Sequence, residues 1–368
     1  MYTSMNYYMI PTKYMELPIS YKTCDTEVLD PHISCSYYRN IKSLKMQVDS
    51  FISHSKKEIS EDMFHLINNI NNPYSFLSNV VANDIAITNS CDTQVKENES
   101  FKLFFVLIEL CNTFDFLQRE LYQYPMHTVY VGKNGQSFQN GINFISNKVD
   151  TGIYMCPLDD LVKKINTNDN SINVTNVKTI FFDIDISDND YTYCTSMLNN
   201  LLKTLYIILN TRCTCIIKTG GFIFKPFIDI LYILSGTYKT IYISKPIVVQ
   251  DINDRYVICK DPYTFSPGIE YITTTNEKLL DIIEKTSYST CRTISTILTT
   301  PISHHFLTKI EESTLIIGQK NIENYENLIL LVKMIGKDDK IENARKSAIV
   351  KCIQWCTKYN IMHTVGYV

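Results

Sequence analysis

What this chain lacks first is charge of one sign. Its 35 Lys and Arg stand against 38 Asp and Glu, a formal net charge of −3. No overall basic field draws it to nucleic acid, so any such site has to be a local patch. Long hydrophobic runs are missing too: none approaches the roughly 20 apolar residues that a membrane helix needs, and no membrane association is expected. The opening stretch "MYTSMNYYMIPTKYMELP" has neither the charged start nor the apolar core of a secretory leader, so none is expected. No internal repeat and no low-complexity linker breaks the chain, which argues against a solenoid or a tethered array.

Cysteine is plentiful, at twelve residues, but its metal-binding pattern is absent. Cys352 and Cys356 are four apart on an expected helix, with no second pair at zinc-ligand spacing. Most of the others fall inside apolar runs such as "CTCII" and "YVICK". Buried reduced thiols in a cytoplasmic protein are the expectation. His304 and His305, in "PISHHFLTK", have no acid or cysteine at ligand spacing and read as a loop or helix-start pair. No metal is expected.

What is present is core-forming material. Apolar residues make up 45% and aromatics 12% of 368 residues, enough for one large domain with additions. Ile, Asn, Lys and Tyr are abundant, as an A+T-rich coding sequence gives, a hint of a large DNA virus or a parasite.

Residues 1–95 read as an irregular and helical N-terminal extension: a Tyr-rich head, then "SEDMFHLINNINNPYSFLSNVV" with helical spacing. Scattered tyrosines without interleaved Arg or Lys are packing or interface residues more often than base-stacking ones, so the head is a candidate protein-contact surface. Residues 96–275 alternate. The apolar helix "SFKLFFVLIELCNTFDFLQREL" precedes the strand "HTVYVG" and a glycine-bearing turn. There follow "TGIYMC" (strand), "PLDDLVKKI" (helix), "NVKTIFFDIDI" (strand), "YCTSMLNNLLKTLYIILN" (helix), "CTCIIK" (strand) and "FKPFIDILYILSGT" (helix), with "YKTIYIS" and "DRYVICKD" as the last strands. This order predicts an α/β fold: a Rossmann-like, doubly wound, mostly parallel sheet with a closing antiparallel strand. Residues 276–368 read as a helical region packed on that domain, with "ENARKSAIVKCIQWCTKY" its clearest amphipathic segment and Trp355 a core residue.

Ligands of such sheets lie beyond the carboxyl ends of the strands. Three polar features collect there. "VYVGKNGQ" puts Gly132, Asn134 and Gly135 in the first strand-to-helix turn, where glycine lets a backbone approach a cofactor. "IFFDID" places Asp183 and Asp185 at the end of a central strand. "CIIK" ends in Lys218, and Asp254 precedes the last strand. A lysine at a strand end is partly desolvated, which lowers its pKa, while neighbouring carboxylates pull the other way. One that loses its proton serves as a general base. Spacing alone favours the plainer reading, with Lys218 an edge lysine reaching solvent and Asp254 a turn residue.

The block "CIIKTGGFIFKPFIDILYILSGTYKTIYISKPIVVQDINDRYVICKD" resembles the last third of the FtsJ/RrmJ-type ribose 2′-O-methyltransferases. It is nearest the cap-specific branch of eukaryotes and large cytoplasmic DNA viruses. "LIELCNTFDF", "GINF", "GIYMCPLDDL" and "WCTKY" echo the viral members, so the likeness spans about 100 to 360. It implies a Lys-Asp-Lys-Glu tetrad beside S-adenosylmethionine, with capped mRNA or another RNA as partner. By position Lys218 matches the lysine that deprotonates the ribose hydroxyl, Asp183 (or Asp185) the aspartate, and Asp254 the glutamate. Gly132, Asn134 and Gly135 match the cofactor turn.

The departures from the family pattern are specific. Val106 stands where the family has its first lysine, with Glu109 one turn on and Lys102 one turn earlier. The turn "GKNGQSF" lacks the family's Pro and its glycine pair, and "VVQ" replaces its Ser-Arg. Asp254 is one methylene shorter than glutamate and falls about an ångström short, a misplacement that removes ~100-fold of rate. The expectation is a degenerate homologue, impaired or inactive, retained as an RNA- or protein-binding scaffold. An active S-adenosylmethionine-dependent cap 2′-O-methyltransferase with relaxed motifs is the alternative.

Overall fold

The computed structural model describes residues 6–24, 29–55, 60–81, 98–115, 128–145, 153–167, 177–184, 190–249, 254–264, 269–288 and 293–363. The chain opens with β1 (Asn6–Ile10), β2 (Ile19–Cys24), α1 (Cys35–Ser55), α2 (Glu61–Asn71), a 3-10 turn at Pro73–Phe76, α3 (Leu77–Val80) and α4 (Asn98–Phe114). Strands and helices then alternate: β3 (Thr128–Val131), α5 (Gly135–Ile145), β4 (Ile153–Met155), α6 (Leu158–Asn166), β5 (Thr179–Asp183), α7 (Asp190–Thr211), β6 (Thr214–Thr219) and α8 (Lys225–Thr237). The remainder is β7 (Tyr238–Lys245), β8 (Arg255–Pro262), α9 (Ile269–Tyr288), β9 (Thr293–Leu298), α10 (His304–Val332) and α11 (Asp338–Lys358).

Seven strands form one sheet in the order β1-β7-β8-β6-β5-β3-β4. β4, β3, β5 and β6 run parallel, while β8 is antiparallel to both β6 and β7. The α/β, Rossmann-like reading holds, and of the two antiparallel strands, β1 and β8, the latter lies inside the sheet between β6 and β7. β3 is buried along its whole length, as a strand covered on both faces must be. α8 is buried from Pro226 to Gly236, the property of a helix that is apolar all round.

Two features depart from the sequence reading. The Tyr-rich head is not irregular throughout: β1 pairs antiparallel with β7 at the sheet edge, and the Tyr7 ring packs edge-on against Phe114 and Tyr242. The C-terminal region is not purely helical either. Its "TISTIL" forms β9, which pairs with β2 in a separate two-stranded sheet. The β-branched residues there favour a strand once a partner is present, and the partner comes from the opposite end of the chain. Buried Asp229 on α8 fixes β9 by accepting from the Thr296 hydroxyl and from the backbone N–H groups of Ile297 and Leu298.

Period-two alternation splits the sheet between two cores. Val129, Ile180, Phe182, Cys215, Ile217 and Val257 face one; Tyr130, Phe181, Ile216, Tyr256 and Ile258 face the other, which is built with α4, α5 and α11. Asp183 follows Phe181 by two, Lys218 follows Ile216 by two, and Asp254 precedes Tyr256 by two. All three therefore lie on the face of α4, α5 and α11.

Candidate active site

The ladders bring the charged residues together. Asp183 on β5 is directly opposite Lys218 on β6, and Lys218 is opposite Tyr256 on β8. Asp254 is thereby a diagonal neighbour of Lys218, within reach of a long side chain. The Lys218 Nζ lies 3.4 Å from Asp183 Oδ1 and 3.7 Å from Asp254 Oδ2. The lysine is 23% exposed, the two carboxylates 8% and 15%. The second distance is about an ångström longer than a charge-assisted N–H···O bond. Asp185 falls outside the described residues.

The glycine turn is organised around a residue that the sequence reading passed over. Tyr130 in the middle of β3 donates its phenol O–H to Asp183 Oδ2 at 2.7 Å, and its oxygen accepts the Asn134 backbone N–H at 3.0 Å. Its ring stacks on Phe138 and Phe181, at centroid distances of 4.6 and 6.0 Å. Burial pushes the phenol pKa up and the charge of Asp183 pushes it further, so the hydroxyl stays a donor. Asn134 Nδ2 lies 3.4 Å from the same Asp183 oxygen, a longer contact. One signal for this role was available: Tyr130 carries a hydroxyl on a wholly buried strand, two residues before Gly132.

Gly132 and Gly135 make close approaches, but to the protein's own side chains. A Cβ on Gly132 would lie 2.7 Å from both Asp183 Cβ and the Tyr130 hydroxyl. A Cβ on Gly135 would lie 2.4 Å from the Met155 sulfur. A nucleoside cofactor in such a fold takes a carboxylate for its ribose hydroxyls at the end of the neighbouring strand, about 20 residues on. Met155 and Cys156 occupy that place here. The turn as folded, with Gly132 against Asp183 and Tyr130 and with Met155 and Cys156 in place of a ribose-binding carboxylate, does not fit S-adenosylmethionine.

The place of the family's first lysine is filled differently. Val106 is core, 1% exposed. Glu109 is fully buried on α4; it accepts the Ile247 N–H at 2.8 Å and the indole N–H of Trp355. Desolvation raises its pKa to about 7, against the lowering effect of those hydrogen bonds and of Lys358. Glu109 thus ties the connection that follows β7 to α11, and Trp355 is a core residue. Lys102 makes no ion pair with Asp183 or Asp254 and lines a cleft beside α2.

Lys245 and Arg255, which flank that connection, reach α10. Lys245 donates to Asn321 Oδ1 at 2.9 Å, and the buried Arg255 guanidinium lies 3.5 Å from the Thr314 hydroxyl. His304 and His305 are exposed at the start of α10, and no group of His, Cys, Asp or Glu among the described residues is arranged to hold a metal. Cys352 and Cys356 are buried thiols pushed up to about 12 and about 11 by desolvation, which makes them inert packing groups.

Chemically, the arrangement is an ammonium between two carboxylates, at the carboxyl ends of β5 and β6 and the amino end of the antiparallel β8, beside a turn closed by its own tyrosine. No family model matches the chain, and no curated protein matches it.

Proposed function

We propose that this protein is a ribose 2′-O-methyltransferase-like fold that no longer transfers methyl groups and serves as a binding component for RNA or a protein partner, in a cytoplasmic setting. The observation that carries the reading is the Tyr130–Asp183 hydrogen bond inside the glycine turn. It takes the aspartate that matches the family's catalytic tetrad and bonds it to the strand that leads into the turn matching the cofactor's cradle. Met155 over Gly135, Val106 in place of a lysine and the long Lys218–Asp254 separation support the same reading.

The opposing reading is an active cap 2′-O-methyltransferase. It is favoured by the convergence of Asp183, Lys218 and Asp254 on one face at the strand ends, where a base for a ribose hydroxyl belongs.

Calorimetric titration with S-adenosylmethionine, and separately with its demethylated product, decides between them. No binding at millimolar ligand is expected. Saturable binding, followed by methyl transfer to capped RNA that Lys218→Ala abolishes, would overturn the proposal.

A further inference from the structure

A cleft of about 210 Å³ opens between α2, the 3-10 turn and α4, away from the strand ends. Asn68, Asn72 and Lys102 line it together with the half-buried Tyr74, and buried Phe105 and Val248 form its apolar floor. Most of the lining residues carry polar groups, set around an apolar floor. The side chains of Asn68 and Lys102 make no hydrogen bond or ion pair with any described residue. Asn72 directs its Oδ1 at the Tyr74 N–H, 3.3 Å away, so its amide N–H₂ remains for a ligand. The floor is rigid: the Phe105 ring packs edge-on against Trp355 at 5.3 Å, and Trp355 is bonded to Glu109. The same carboxylate holds Ile247, next to Val248, so the floor includes the chain that runs from Lys245 towards Asp254.

From these features we propose that the cleft binds one nucleotide of a single-stranded RNA, an inference that rests on the RNA-binding side of the function proposed above. Amides carry donor and acceptor side by side, as the edge of an unpaired base requires. Tyr74 supplies a ring for the base, and Lys102 a point charge for the adjacent phosphate. The cavity holds a planar base and little more; a peptide helix is too wide for it. In a chain with net charge −3, the cleft sets one lysine beside an aromatic ring, the pairing that contact with a single nucleotide and its phosphate uses.

The test is fluorescence anisotropy of the full chain with a short labelled oligouridylate over a salt series. Unlabelled uridine monophosphate is added as competitor, and Lys102→Ala, Asn68→Ala and Tyr74→Leu are compared with wild type. Loss of Lys102 is expected to reduce the slope of log K against log salt by about 0.7, the value for one phosphate contact on a single strand. Loss of the Tyr74 ring is expected to weaken binding about tenfold without changing that slope. Asn68→Ala is expected to weaken it severalfold, also at constant slope. Lys102 is only half-buried, so its variant decides the matter even where Tyr74→Leu lowers the melting temperature.

Absence of RNA binding by the wild type, or an unchanged slope for Lys102→Ala, overturns the assignment. Competition by uridine monophosphate as strong as by the oligomer would assign the cleft to free nucleotide and overturn the RNA reading. The cofactor titration is read independently, so a failure of the cleft and a failure of the non-catalytic reading are distinguishable.

Discussion

Tyr130 and Asp183 come from neighbouring parallel strands and meet at 2.7 Å, phenol to carboxylate, across the place where the glycine turn leaves the sheet. The bond satisfies a carboxylate that is 8% exposed, and the same phenol oxygen accepts the Asn134 N–H. Tyr130→Phe keeps the stacked ring and removes both interactions. A hydrogen bond to a charged group contributes ~2 kcal/mol, so this variant is expected to lose about that much in a urea unfolding experiment. A midpoint equal to wild type would show that the phenol does not hold the turn closed.

The two glycines of the turn are expected to behave oppositely. A methyl on Gly132 would collide with Asp183 Cβ at 2.7 Å, on a strand that cannot withdraw, so Gly132→Ala should cost about 1–3 kcal/mol as overpacking. A methyl on Gly135 meets the end of the flexible, 42% exposed Met155 side chain, in the first turn of α5. Alanine favours a helix over glycine by up to about 1 kcal/mol, so Gly135→Ala should be neutral or slightly stabilising. Paired thermal melts check the contrast, and equal losses would contradict it.

Lys218 is the cation between Asp183 and Asp254. Lys218→Met leaves two partly buried carboxylates on one face with no charge between them, at an expected cost of about 1 kcal/mol after allowing for solvent screening. Asp254→Asn in the Lys218→Met background should recover part of that loss, because it removes the like-charge repulsion. A double-mutant cycle measures this coupling, and strict additivity would show that the two residues do not interact.

The parts of the fold that the sequence made legible are those encoded locally. Apolar runs ending in a charged residue marked the carboxyl ends of β5 and β6, and the strand order gathered Asp183, Lys218 and Asp254 at one end of the sheet; their common face comes from the observed registers. Partners that arrive from far along the chain left no local trace. Nothing in "TISTIL" names β2, and nothing in Glu109 names Trp355. Helical spacing put Glu109 one turn from Val106 and so near an expected catalytic lysine; its direction around α4 sends it to α11. Tyr130 was legible only in part: its strand is plain in the sequence, but the register that sets Tyr130 opposite Phe181, and so on the face of Asp183, is not. Its reach to Asp183 depends on how far a phenol extends, which residue type shows and spacing does not.

Glu109 makes the stability of the protein depend on pH. Its carboxyl is buried, desolvation raises its pKa from an ordinary 4.5 to about 7, and the N–H groups of Ile247 and Trp355 and the charge of Lys358 oppose that rise. Between about pH 4.5 and pH 7 the native protein therefore holds a proton that the unfolded chain has released. The native state binds more protons in that window, so stability falls as pH rises through it. Below the window the contribution is fully present, and above pH 7 its loss is complete. A shift of this size corresponds to about 3 kcal/mol across the window. Glu109→Gln cannot titrate, although its amide N–H₂ meets one of the two N–H donors and costs a hydrogen bond at every pH. The stability of wild type minus that of Glu109→Gln is expected to decrease from pH 4.5 to pH 7.5 in urea unfolding. Parallel curves would mean that Glu109 keeps an ordinary carboxylate pKa in the folded protein. Trp355 fluorescence, recorded in the same experiment, should follow the titration near pH 7, because its indole N–H is bonded to the group that ionises.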